Sequence, residues 1–104
     1  MTPEQVREII INEIGGDWMR TNAHGVDLRA CLVDPPRRRT YLDSFNQNVS
    51  VELWLVLEED PNLHSGYEIV FSETERQFGL ATSSDDGPVF IGWHGSFLET
   101  LEGM

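Results

Sequence analysis

Three histidines, one cysteine and a run of arginines are the residues of this chain with chemistry to offer. His24, His64 and His94 lie far apart in the sequence. None belongs to a His-x-x-x-His pair, a Cys-His spacing or the carboxylate–histidine pattern of a zinc site, so no metal site is expected. His94 stands between Gly92-Trp93 and Gly95-Ser96, where a strand pattern gives way to a helix start. A helix N-terminus offers N–H groups that can hold an anion. Ser96 and Glu99, however, have capping-box spacing, which accounts for two of those donors. Nucleophilic catalysis has no support either: there is no Gly-x-Ser-x-Gly elbow, and Cys31 has no evident activator. Neither a catalytic residue nor a cofactor is expected, and no phosphate-binding glycine loop occurs.

The bases narrow the chemistry further. All seven are arginine, which excludes Schiff-base lysines, phosphate-loop lysines and lysine general bases. Three of them form the one basic cluster, Pro35-Pro36-Arg37-Arg38-Arg39-Thr40-Tyr41. Arginines beside an aromatic suit phosphate or RNA, but the net charge of −11 repels polyanions, and nucleic acid is not the expected partner. The bland reading of the cluster is pairing with the chain's own acids. Those acids are unevenly placed: residues 51–104 carry eleven and a single base, Arg76, whereas residues 1–50 carry seven acids and six arginines. Glu58-Glu59-Asp60 and Asp85-Asp86-Gly87 resemble fragments of calcium loops without the full ligand spacing, and read as solvated acidic turns.

The elements that would position these groups are legible as periodicities. Thr2-Pro3-Glu4-Gln5 is a helix start with a capping box, and Val6, Ile9, Ile10 and Ile14 form one apolar stripe that Gly15-Gly16 terminates. Ile11 lies off that stripe, which implies a second covered side or an apolar contact with another chain. From Val26 the period becomes two, and Val26, Leu28, Ala30 and Leu32 predict a half-buried strand stopped by Asp34-Pro35-Pro36. The next strand places Val49, Val51, Leu53, Leu55 and Leu57 on one face, with Ser50, Glu52, Trp54, Val56 and Glu58 on the other. Strands over 67–72, 77–82 and 89–93 follow with short polar connections, and Ser96-Phe97-Leu98-Glu99 opens a short final helix. Residues 35–48 read as one long irregular segment.

The expected architecture is a single α+β domain over residues 1–104. It is an antiparallel meander of about five strands flanked by an N-terminal helix and a short C-terminal helix. With one cysteine there is no intrachain disulfide, and Cys31 is expected to be a small buried thiol. No apolar run approaches a membrane span, and the composition suits a cytoplasmic protein.

Two readings of function follow. In the first, the acidic half meets a basic partner protein, with Glu58, Glu59, Asp60, Asp85 and Asp86 in two exposed turns at one end of the sheet. In the second, a small ligand or substrate binds the other sheet face, where Trp54, Val70, Gly79, Ala81 and Phe90 line a pocket near Glu52 or His94. The order Trp54-Leu55-Val56-Leu57, Tyr67-Glu68-Ile69-Val70-Phe71, Gln77-Phe78-Gly79-Leu80-Ala81, then Gly92 and a terminal amphipathic helix, resembles small acidic immunity proteins of bacterial toxin systems. The resemblance spans roughly residues 50–104 and implies a non-catalytic binder of a basic toxin. It assigns no individual binding residue.

Overall fold

The computed structural model describes residues 1–104, apart from the side chain of Gln47. Helix α1 (Pro3–Ile14) begins as its cap residues dictate: the Thr2 hydroxyl accepts from the Gln5 N–H, and the Gln5 side chain accepts from the Thr2 N–H. It ends at Gly15 in the left-handed conformation, with φ of 61°. Val6, Ile10 and Ile14 are its buried stripe.

A single helical turn, α2 (Leu28–Cys31), follows where alternation predicts a strand. Asp27 is the reason: its carboxylate accepts from the Arg29 N–H at 3.0 Å and nucleates the turn. Leu28 and Cys31 are buried while Ala30 is exposed, so burial follows the helical interval of three instead of the strand interval of two.

The first strand is thereby displaced along the chain. Strand β1 (Leu32–Asp43) runs through the two prolines and the arginine cluster, and β2 (Asn46–Asp60) follows after a tight turn. The segment expected to be irregular is a long hairpin. Pro35 and Pro36 are tolerated because they fall in a gap in the ladder, between Leu32 opposite Leu57 and Arg37 opposite Leu55, where no backbone donor is required. Strands β3 (Ser65–Ser72), β4 (Gln77–Ser84) and β5 (Gly87–Gly95) complete the antiparallel meander, and α3 (Phe97–Gly103) closes the chain on a second reciprocal capping box.

The meander curls until β1 meets β5 in parallel over Leu42–Val89 and Asp43–Phe90, giving a closed barrel in the order β1-β2-β3-β4-β5. Two clusters fill the two sides of the sheet. Tyr41, Leu53, Val70, Ala81 and Phe90, one from each strand, form the inner cluster. Trp54, Ile69, Phe71, Phe78 and Leu80 pack on the other side against α1, α3 and the Val26–Cys31 turn.

Bulges set which residue faces which side. Leu55 lies opposite Val70 and Leu57 opposite Ile69, so Val56 is the extra residue in β2. Val56 and Leu57 therefore both join the helix-side cluster, and Glu58 turns to the side opposite the one that strict alternation assigns it.

Close packing inside the barrel yields a paired stability prediction. A Cβ at Gly79 would lie 2.5 Å from the Gly92 carbonyl oxygen and 2.7 Å from the Phe90 ring, whereas one at Gly92 would meet nothing within 4 Å. Gly79→Ala should destabilise the fold by about 1–3 kcal/mol in urea unfolding. Gly92→Ala should change stability by less than about 1 kcal/mol in the same assay.

Candidate functional site

The arginine cluster is consumed inside the molecule. Alternation along β1 sends Arg37, Arg39 and Tyr41 toward one face and Arg38 toward the other. Arg39 donates to Glu68 at 2.9 Å and Arg37 lies 3.6 Å from Glu58. Glu58 and Glu68 are directly opposite each other on β2 and β3 and are only 4% and 3% exposed. The Tyr41 hydroxyl, itself fully buried, donates to the other oxygen of Glu68 at 3.0 Å. Burial foremost, then the Glu68 charge, pushes the Tyr41 phenol far above its ordinary pKa, so it stays a neutral donor. His64 Nδ1, at 2.7 Å from Glu58, covers the open side.

On the opposite face Arg38 lies 5.4 Å over the Trp54 ring and bridges Glu52 and Glu73. Glu73 also accepts from the Trp54 indole N–H at 2.7 Å, and that bond is the main reason its carboxyl sits below the usual carboxylate range.

Of the five acids expected in two exposed turns, the structure divides the set. Glu58 is a correction: the Val56 bulge buries it in the ion cluster just described. Glu59 is part-buried, accepts from the Tyr67 N–H at 2.9 Å and meets His24 at 2.7 Å, which ties the loop before α2 to β2. The Tyr67 bond, followed by His24, lowers the Glu59 pKa against the opposing effect of burial.

Asp85 and Asp86 lie in the exposed β4–β5 turn, whereas Asp60 is the part-buried last residue of β2, at the edge of the β2–β3 turn; the two turns adjoin. Tyr67 pairs with Thr82, and the Thr82 hydroxyl donates to the Gly66 carbonyl, which sets the β2–β3 turn beside the β4–β5 turn. The β1–β2 turn adjoins the β4–β5 turn at the barrel seam. The Ser44 N–H donates to the Phe90 carbonyl, and Leu42, Asp43, Ser44, Ser84, Asp86 and Val89 line one shallow depression.

This three-turn rim carries residues that the acid count did not indicate. Phe45 is 81% exposed and Leu63 is 76% exposed. Each is presented by an acid: Asp43 accepts from the Phe45 N–H at 2.9 Å, and Asp60 accepts from the Asn62 and Leu63 N–H groups at 3.2 and 3.1 Å. The sequence signal was present in Asp43-Ser44-Phe45 and Asp60-Pro61-Asn62-Leu63, where an acid two or three residues before an apolar residue marks a side-chain-pinned turn. No histidine or arginine nitrogen lies within salt-bridge distance of Asp43, Asp60, Asp85 or Asp86 among the described residues.

Of the expected ligand pocket, Val70, Gly79, Ala81 and Phe90 come together on the inner face as core packing, and Trp54 does not join them. Trp54 packs with the helix-side cluster and Phe90 with the inner one, on opposite faces of the sheet. The Phe90 ring occupies the room over Gly79 and stacks on Trp93 at 4.5 Å between centroids. Val70 and Ala81 are wholly buried around it, Glu52 binds Arg38, and exposed His94 lies against Gly103 at the end of α3. The α3 capping box is closed by Ser96 and Glu99. Cys31 is buried, and burial pushes its thiol above the ordinary value. Among the described residues no three His, Cys, Asp or Glu side chains converge as a metal ion would require, and no helix is long and apolar enough to cross a membrane.

Comparison with protein-family models, curated proteins and solved structures finds no significant match.

Two measurements check the internal electrostatics. Tyr41→Phe leaves one oxygen of a buried carboxylate without its donor and should cost about 1–3 kcal/mol in urea unfolding. Glu59→Gln imitates the protonated acid. Because the folded pKa of Glu59 is lowered, its contribution is present above the ordinary carboxylate range and is lost as pH falls through the folded value. The variant should therefore be less stable than the parent near neutral pH, by about 1 kcal/mol, and should converge with it as pH falls below the folded value.

Proposed function

We propose that this chain is a non-catalytic protein-binding module that engages a basic partner protein through its three-turn rim, in the manner of an immunity or inhibitor protein. The observation that carries this reading is the pairing of exposed apolar residues with unpartnered acids. Phe45 and Leu63 stand out beside Asp43 and Asp60, and these acids, with Asp85 and Asp86 of the adjoining turn, have no arginine or histidine nitrogen within salt-bridge distance among the described residues. Exposed aromatic and aliphatic side chains inside a charged rim are the usual anatomy of a contact in which apolar anchors hold and charges select. The chain's charge of −11 would draw a cationic surface toward that rim.

Internal pairing of the arginine cluster supports the same direction. Arg37, Arg38 and Arg39 each answer an acid of the chain itself, so they do not form the basic face that a nucleic acid needs. The small-molecule reading loses its pocket because Phe90 fills it. A protein whose catalytic task is handling polyanions has the complementary chemistry, a cationic cleft into which an acid-rimmed knob fits.

The test is kinetic. A basic partner recovered by co-purification, or supplied by a neighbouring reading frame, is immobilised and binding is followed in real time. Reversing Asp43, Asp60, Asp85 and Asp86 to lysine should slow association by about tenfold or more at 0.1 M salt, with dissociation changed by only a few-fold. Phe45→Ser and Leu63→Ser should instead speed dissociation, by about tenfold each if they are anchors. Unchanged affinity in all these variants would overturn the assignment of the rim.

A further inference from the structure

The off-stripe residue Ile11 has a structural counterpart. Between α1 and the start of β1 lies a cavity of about 210 Å³. Ile10, Ile11, Leu32 and Pro36 form its apolar lining, and the half-buried Trp18 ring stands at one side. Its charged groups are Arg7, Arg29 and Asp34.

The cations are unusual in this chain. Most of its arginines are committed to acids, as Arg7 is to Asp34 at 3.2 Å. Arg29 is not: it has no carboxylate within 4 Å among the described residues, and its guanidinium lies 5.3 Å over the Trp18 ring. That stacking holds the guanidinium at the cavity while leaving its in-plane N–H groups without an acid to bind. The lining thus carries a net charge of +1 in a molecule of −11. Apolar walls with one uncommitted planar cation are the chemistry that recognises a carboxylate on a small apolar body.

We propose that this cavity binds a small organic carboxylate with a single ring or a short branched chain, its apolar body against Ile10, Ile11 and Leu32 and its carboxylate on Arg29. The volume is below the roughly 300–1,000 Å³ of drug-sized sites, which sets the ligand at fragment size. Arg7 contributes a second positive charge to the lining, and Asp34, paired with it at 3.2 Å, offsets that charge. The cavity is separate in residues from the three-turn rim, so this proposal stands or falls independently of the proposed function.

The test uses three probes followed by proton–nitrogen correlation spectra of the intact chain. Benzoate supplies ring and carboxylate, benzyl alcohol the ring alone, and inorganic phosphate an anion without an apolar body. Benzoate should give saturable shifts at the Trp18 indole and the Ile11, Arg29 and Val33 amides. Benzyl alcohol should bind about tenfold more weakly and phosphate should not saturate, because a charge-assisted hydrogen bond is worth about that factor or more. Arg29→Gln, at an exposed position where folding is not at stake, should weaken benzoate by about tenfold and leave benzyl alcohol unchanged. The proposal is overturned by any of three results: no saturable benzoate shift up to about 20 mM, equal binding of the two aromatic probes, or wild-type benzoate binding by Arg29→Gln. Sedimentation showing a dimer that buries Ile11 and Trp18 and blocks the titration would also overturn it, by assigning the cavity to a second copy.

Discussion

Glu58 and Glu68 face each other across two paired strands in a nearly dry part of the barrel, and the rest of the fold is arranged so that they can. Like charges at a cross-strand pair repel, and a buried carboxylate without a partner costs several kcal/mol. Relief comes from one stretch of chain, in which Arg37 reaches Glu58 while Arg39 and Tyr41 reach Glu68. Those three residues share a face only if residues 37–41 are extended and in one register with β2. A slip of one residue would turn Arg38 inward and strand both acids, because side chains alternate with a period of two. The ion cluster therefore specifies the β1–β2 register, which carries the hairpin to the place where Asp43 meets Phe90 and the barrel closes.

The same constraint explains what the sequence could and could not reveal. The two capping boxes, the apolar stripe of α1 and strands β3 to β5 are local features, written within a few consecutive residues, and each is where its residues say. The first strand is not local. Its reason to be extended lies in acids 20 to 30 positions downstream, so prolines and arginines that look like a loop become a strand through tertiary pairing. The Val26–Leu32 alternation failed for the converse reason: a single capping aspartate converts four residues to a helical turn, and the pair it buries, Leu28 and Cys31, fits the helical interval and not the strand one. Five strands were expected and five are present, but the first of them comes from a different segment.

Glu58 shows how one inserted residue redistributes function. Leu53 to Leu57 are all apolar, so nothing in the side-chain types announces that Val56 is skipped in the ladder. The bulge arises because β2 must pair with β1 on one side and β3 on the other while the sheet curls, and the extra residue takes up the difference in path. Its effect is to withdraw one acid from the surface and leave the rim to Asp43 and Asp60, which hold turns, and to Asp85 and Asp86. The rim was half legible: the acids of the second and fourth turns could be placed at one end by antiparallel connectivity, whereas Asp43 meets the fourth turn only through barrel closure.

The chain's charge thus belongs to two populations with different physics. Acids paired with Arg37, Arg38 and Arg39 are part of the structure, and where they are buried, added salt screens them little. Acids on the rim have no arginine or histidine nitrogen within salt-bridge distance among the described residues, so any repulsion between neighbouring ones is felt in solvent and is reduced as the Debye length falls. That repulsion is a cost to the folded state, and at the seam, where Asp43 and Asp86 line one depression, no internal ion pair offsets it among the described residues. Pinning Phe45 and Leu63 in the same turns adds a second cost, exposed apolar surface. A complementary surface, cationic at its edge and apolar at its centre, removes both costs together, and a partner lacking either property removes only one of them.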